Sequence, residues 1–312
     1  MNGEKKILMK NNKILLIGKD GQVGAIIKNR LKIFFKNIKS VSRKEFNLED
    51  LSLIEKKLNK IKPNIIINAA AYTRVDEAEK KKRICYKINA LSTKKIASWC
   101  FKNQCFLIYY STDYIFSGKN NKPWNEEDKP NPINFYGKSK LDGEKYIIKS
   151  KCPYLILRVN WIYANKGENF PKKIIKKIKK NKIINVVNDQ IGTPNHADFI
   201  AVTTIKILKK ILKNPGSNPK ILNLSAKGAV SYYDFAKKIK NAMGKKYKDY
   251  KINPISTKNL NKHVKDYSKM KRPLNSKLNI NKLEKFLKEK MPNWELIFIK
   301  NKKDIIKNYN KF

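Results

Sequence analysis

The chain is poor in the residues that most often grip metals and phosphates. Of its 312 residues only six are arginine (Arg30, Arg43, Arg74, Arg83, Arg158 and Arg272), two are histidine (His196 and His263) and four are cysteine (Cys85, Cys100, Cys105 and Cys152). Two histidines are too few for a histidine-based metal centre or for most Ser/His chemistry, and the expected metal complement is none. No two cysteines form a C-x-x-C pair, so they read as reduced, buried thiols and not as a disulfide framework or a zinc site. No apolar run reaches the roughly 18–20 residues that span a bilayer, and residues 1–12 lack the apolar core of a signal peptide. A cytoplasmic protein that does not enter the membrane is expected.

Acidic residues are scarce as well: 25 Asp+Glu face 71 Lys+Arg, for a formal net charge of +46. Such a surplus ordinarily points to nucleic acid or an anionic surface. The kind of cation argues otherwise. Arginine supplies the bidentate fork that reads guanine and clamps phosphate, yet 65 of the 71 basic residues are lysine. The lysines travel with Asn and Ile, as in Asn11-Asn12-Lys13-Ile14 and Ile174-Ile175-Lys176-Lys177-Ile178, and these three residues share A/T-rich codons. Lysines spread over many helical faces are a solvated background, so no nucleic-acid partner is expected.

The 41% of apolar residues excludes a mainly disordered chain. Short apolar runs at Lys13–Ile17, Ile38–Ser42, Asn64–Asn68, Phe106–Tyr110 and Tyr154–Arg158 alternate with helical patterns at Val23–Phe35, Leu51–Ile61, Arg83–Asn103 and Tyr136–Lys149. This rhythm predicts βαβ units in an α/β, doubly wound parallel sheet. After Val159 it loosens. Helices are expected at Pro171–Lys180, Asp198–Leu212 and Ser231–Ala242, strands at Ile183–Val187 and Leu222–Leu224, and a last helix near Leu283–Lys290. Asn214–Pro219 reads as a loop, and Lys245–Ser276 as polar and irregular.

Two motifs carry chemistry. Gly18-Lys19-Asp20-Gly21-Gln22-Val23-Gly24 follows the first strand and opens a helix, a spacing that brings backbone N–H groups to a pyrophosphate at the helix N-terminus. At the end of the second strand an acidic residue would favour NAD, and an arginine the 2′-phosphate of NADP. Ser42-Arg43 stands there, so NADPH is the expected cofactor, with NADH left open. The second motif is Tyr136-Gly137-Lys138-Ser139-Lys140. Its i, i+4 spacing sets Tyr136 and Lys140 on one helical face, where the ammonium is expected to draw the phenol toward the working range. Thr112, in Ser111-Thr112-Asp113 just after the fourth strand, can hold a carbonyl oxygen beside Tyr136.

With these residues assembled, the chain resembles the extended short-chain dehydrogenase/reductases. Within them it is most similar to the branch that reduces nucleotide-linked 4-keto-6-deoxy sugars at the end of dTDP-L-rhamnose synthesis. The matching segments are 18–24, 68–79, 111–118, 136–144, 157–163, 189–194 and 271–276, in the family's order. The resemblance implies a Rossmann-like NAD(P)-binding domain over 1–160 and 190–224, and a smaller, mostly C-terminal substrate-binding lobe over 161–189 and 225–312. It makes Thr112, Tyr136 and Lys140 catalytic. The glycine spacing and the strand end give the cofactor Gly18, Gly24, Ser42 and Arg43, and the resemblance gives it Gly21, Gln22, Val23, Ala71, Tyr72, Thr73 and Tyr110, together with Tyr136 and Lys140. The resemblance gives a nucleotide-sugar substrate Thr112, Asp113 and Trp161. Arg158, Arg272 and Asn275 serve either the nucleotide diphosphate or the joint to the second lobe; the sequence leaves both open.

Two departures narrow the reading. Related dehydratases carry Asp-Glu directly after the threonine, whereas this chain has Asp113-Tyr114, which argues against dehydration. Some rhamnose-pathway reductases bridge a dimer with Mg²⁺ held by a glutamate early in the first helix. Ala25-Ile26-Ile27-Lys28 offers no carboxylate, so a homodimer stays open but not that metal bridge. The rival readings are a reductase of another nucleotide-linked keto-sugar and a non-catalytic, NADP-binding regulatory relative, the latter disfavoured by the intact Thr112, Tyr136 and Lys140.

Overall fold

The structure, a computed structural model, describes residues 12–165, 167–216, 218–263 and 271–310. The expectation for residues 1–12 therefore lies almost entirely outside the described residues, as do Ser217 of the expected loop and residues 264–270 of the expected irregular segment.

Six parallel strands form the central sheet: β1 (Ile14–Ile17), β2 (Ile38–Val41), β3 (Ile65–Asn68), β4 (Phe106–Thr112), β5 (Tyr154–Val159) and β6 (Ile221–Asn223). Their order across the sheet is β6-β5-β4-β3-β1-β2, with Ile17 beside Asn68 and Thr112 beside Val159. Successive residues of each strand feed opposite cores. Leu16, Ile67, Ile108 and Leu157 pack under α1 (Gln22–Phe34) and α6 (Ala197–Lys213). Leu15, Ile17, Ile66, Leu107 and Ile156 pack under α2 (Leu51–Ile61) and α3 (Ser92–Lys102). A strand buried on both faces must be apolar throughout, which explains runs such as Ile65-Ile66-Ile67. The direction of winding reverses between β1 and β3, and the crevice beyond that point is where such sheets bind ligands.

The long helix expected over Arg83–Asn103 is interrupted. It runs as Lys82–Tyr86, a π-helical turn Lys87–Leu91, then α3. Helix α4 (Phe135–Ser150) precedes β5.

A third core joins Tyr163 to α5 (Phe170–Lys180), α7 (Tyr232–Ala242) and α8 (Trp294–Asn310). Two expectations are corrected here. Lys245–Ser276 is not irregular throughout: Lys251–Ile255 pairs in parallel with Ile183–Val187, and a helix covers Thr257–His263. That strand is largely exposed, so it lacks the alternation that would reveal it. The final helix is not the one near Leu283–Lys290, which is observed as Asn281–Leu287; α8 follows it, burying Trp294, Ile297, Phe298 and Ile305 between lysine-rich turns. Ile280, Leu283 and Met291 pack into the core under α1 and α6. All four cysteines are buried and free. Among the described residues no helix is long and apolar enough to cross a membrane.

Candidate active site

The glycine loop leaves β1 through Gly18, whose φ of +92° suits glycine. Gly24 sits in the first turn of α1 with its Cα turned onto the loop; a Cβ there would lie 2.0 Å from the Gly18 carbonyl oxygen. Gly21 caps α1 without offering a side chain to its first N–H groups. Val23 is buried in the core, whereas Gln22 accepts a hydrogen bond from Asn169 Nδ2 at 3.0 Å. The loop is thus tied to the start of α5. Arg43, at the end of β2, is three-quarters exposed and paired with Glu49.

The segment after β3 is held by a residue that sequence reasoning missed. Asn89, in the π-helical turn, accepts from the Tyr72 amide at 2.8 Å and donates through Nδ2 to the Tyr72 carbonyl at 3.1 Å. The same nitrogen lies 3.0 Å from Ser139 Oγ, and Ser139 donates to the Tyr136 carbonyl at 2.7 Å. One buried amide therefore links Ala71-Tyr72-Thr73 to the turn of α4 that carries the Tyr-x-x-x-Lys pair. A buried asparagine inside a helical pattern is the signal that was available; π-turns of this kind are frequent at functional sites.

At the end of β4, Thr112 Oγ1 donates to Asp113 Oδ1 at 3.0 Å and accepts from the Tyr114 amide at 3.2 Å. Helix α4 is pressed against this turn: a Cβ on Gly137 would lie 2.1 Å from the Tyr114 carbonyl oxygen. Asn134 caps the helix by accepting from the Gly137 amide at 2.8 Å. Tyr136 is consequently buried, edge-on to Tyr114 with ring centroids 5.6 Å apart. Lys140 is buried too, donating to the Tyr110 carbonyl at 2.5 Å with its ammonium 3.9 Å from the centre of the Tyr109 ring.

Burial sets the electrostatics of this cluster. It pushes the Tyr136 phenol well up, the Asp113 charge adds to the effect, and the hydroxyl of Thr112 opposes it. It pulls the Lys140 ammonium down to about 7 against the attraction of Glu144. It raises the Asp113 carboxyl to about 6, with Ser276 and Thr112 opposing. Among the influences on the phenol, desolvation is the largest, and it acts upward. Among the described residues, Ser111 Oγ is buried without a hydrogen-bond partner.

Trp161 stands just past β5 at φ +39°. Its ring stacks on Tyr232 with centroids 3.6 Å apart and planes within 9°, between the sheet and the third core. Tyr110 sends its hydroxyl to Thr204 Oγ1 at 2.7 Å in the core under α6, while its carbonyl accepts from Lys140. Arg158 resolves toward structure. It is buried, grips both oxygens of Glu144 at 3.2 and 2.9 Å and donates to the Glu126 carbonyl at 2.8 Å. Asn275 likewise ties its segment to Asn120 and Lys122, and Arg272 pairs with Asp76. Among the described residues no group of three or more His, Cys, Asp or Glu is placed to hold a metal ion.

The family model described as RmlD substrate binding domain matches residues 12–305. The dTDP-4-dehydrorhamnose reductase of Salmonella typhimurium is 33% identical over 287 residues, covering 91% of this chain and 94% of that protein. Among solved structures, the dTDP-4-dehydrorhamnose reductase of Bacillus anthracis in complex with NADP matches with a TM-score of 0.80 at 29% identity, over 97% of this chain and 100% of that one. The ortholog from Clostridium acetobutylicum matches with a TM-score of 0.81 at 30% identity, over 96% and 99%. A doubly wound sheet, a glycine loop at its switch point and a buried Tyr-x-x-x-Lys pair beside Thr112 thus coincide with a match over nearly the whole chain, and the chain belongs to the RmlD substrate binding domain family.

Proposed function

We propose that the protein is an NADPH-dependent reductase that converts the C4 keto group of dTDP-4-dehydro-L-rhamnose to the alcohol of dTDP-L-rhamnose in the cytoplasm. The observation that carries this reading is the closure of α4 on the end of β4, which buries Tyr136 and Lys140 beside Thr112 and Asp113. The glycine loop fits a dinucleotide: its left-handed Gly18, the close Gly18–Gly24 approach and the uncapped start of α1 leave N–H groups for a pyrophosphate. When bound, the nicotinamide supplies the hydride for C4.

The chain's own residues do the rest. Thr112 holds the C4 carbonyl oxygen by a hydrogen bond. Tyr136 gives its proton to that oxygen as negative charge develops. A phenol held up by burial is suited to this direction, because it is fully protonated beforehand and the alkoxide it meets is more basic still. Lys140 fixes the ribose and, once charged, balances the phenolate left behind. Asp113, buried beside Thr112, accepts from sugar hydroxyls. Trp161, whose ring faces are held by Tyr232 and Gly192, borders the sugar with its edge. We assign the Rossmann-like domain to 1–160 and 190–224 together with the segment 280–291, and the substrate lobe to the remainder.

The test is NADPH oxidation against a small panel of nucleotide keto-sugars. Turnover with dTDP-4-dehydro-L-rhamnose in preference to the others is the expected result. Intact NADPH binding without turnover on any of them would mark a binding protein and overturn the proposal.

A further inference from the structure

The end of β2 carries charge of both signs. Gly18 and Lys19 both donate their amides to the Val41 carbonyl, which lays the glycine loop along the end of that strand. From there Lys19 Nζ reaches Glu45 Oε2 at 2.5 Å. The same carboxylate oxygen accepts from the Ser42 amide at 2.8 Å, and the Glu45 amide reaches Ser42 Oγ at 3.3 Å. The Lys19 hydrogen bond, aided by Ser42, holds the Glu45 carboxyl down at about 2, so it is ionised at any working pH. Arg43 is matched in turn by Glu49. Two cations and two carboxylates thus flank the place where a dinucleotide fold receives the adenine ribose.

These pairs treat the two nicotinamide cofactors differently. A free 2′-hydroxyl is a hydrogen-bond donor, and the Glu45 carboxylate accepts it with Lys19 left in place. A 2′-phosphate is repelled by Glu45 and gains only if cations leave their present partners. Arg43 is far more exposed than Lys19, and its pair is the more screened by solvent. Lys19 is anchored by its backbone to the strand end and has less freedom to turn elsewhere.

We propose that Lys19 and Glu45 set the choice between NADPH and NADH, Lys19 as a cation for the 2′-phosphate and Glu45 as an internal competitor that keeps NADH usable. This rests on the dinucleotide reading of the glycine loop and adds the residues that grade its selectivity. It assigns Arg43 a share of the phosphate instead of the whole.

Calorimetric titration of NADP⁺ and NAD⁺ into the wild type, Glu45→Gln, Lys19→Met and Lys19→Arg at low ionic strength tests it, with circular dichroism as the check on folding. Glu45→Gln is expected to tighten NADP⁺ about fivefold, the scale of one exposed like charge, while leaving NAD⁺ unchanged or weaker. Lys19→Met is expected to weaken NADP⁺ about tenfold and NAD⁺ by less than about twofold, and Lys19→Arg to keep the wild-type ratio. Folded Glu45→Gln and Lys19→Met proteins that keep the wild-type ratio of dissociation constants overturn the assignment and leave the dinucleotide reading standing. Folded wild type that binds neither nucleotide overturns that reading, and this inference with it.

Discussion

Helix α4 and its neighbour β5 contain two buried cations in very different surroundings. Arg158 meets both oxygens of Glu144 and a backbone carbonyl. Lys140, one turn earlier than Glu144 on the helix, meets a carbonyl and the face of Tyr109. The arginine is matched donor to acceptor, and its work is finished when the chain folds. The lysine is left with charge to spend, and burial already loosens its proton. A buried charge with a full set of partners reads as architecture; one held by neutral groups reads as chemistry.

Breaking the chemical side should give the largest effect. Tyr136→Phe and Lys140→Met are each expected to lower turnover by about 10²–10⁴-fold, the usual range for a positioned proton-transfer group, without loss of folded protein. Steady-state rates and thermal melts on the same samples check this. Breaking the architectural side should do the reverse. Arg158→Met leaves Glu144 buried and unpaired and is expected to cost about 3–5 kcal/mol in denaturant unfolding, while the protein that remains folded keeps its turnover within a few-fold.

Two pH experiments sharpen the contrast. The Lys140 ammonium falls from 10.5 to about 7 on folding, so between those values the unfolded chain binds more protons than the native one. Stability should therefore rise with pH across that window, with a slope approaching about 1.4 kcal/mol per unit from this group, and Lys140→Met should remove that rise. Asp113 moves the other way, from 3.8 to about 6. Here the native state binds more protons, so stability falls as pH climbs through the window and the penalty is complete above it. Asp113→Asn is expected to be about 1–3 kcal/mol more stable than wild type at pH 8, with the gap closing toward pH 4, while losing turnover. Urea melts at the two pH values measure it.

The parallel sheet was legible because strands buried on both faces are apolar without interruption, and the helices between them keep their 3.6-residue spacing. The Tyr-x-x-x-Lys pair was legible for a similar reason: Tyr136 and Lys140 lie one turn apart on one helix, a local relation. What escaped depends on partners far along the chain. Arg158 reads equally well as a phosphate ligand until Glu144 and Glu126 are seen around it. Tyr110 sits at the right strand end, yet its side chain follows the alternation of β4 into the opposite core to meet Thr204. Asn89 looks like an ordinary helical residue until the π-turn aims it at Tyr72. Lys251–Ile255 is a strand only because Ile183–Val187 lies beside it.

Trp161, Gly192 and Tyr232 carry a consequence for how this site can change over generations. A Cβ at position 192 would fall 2.4 Å from the Trp161 ring, and the other face of that ring is covered by Tyr232. Position 192 is therefore closed to every other amino acid for as long as the indole is there, whereas a smaller residue at 161 is free of that constraint. Change at this contact has one open order: the tryptophan must shrink first, and only then can position 192 take a side chain. A lineage that keeps Trp161 keeps Gly192 with it.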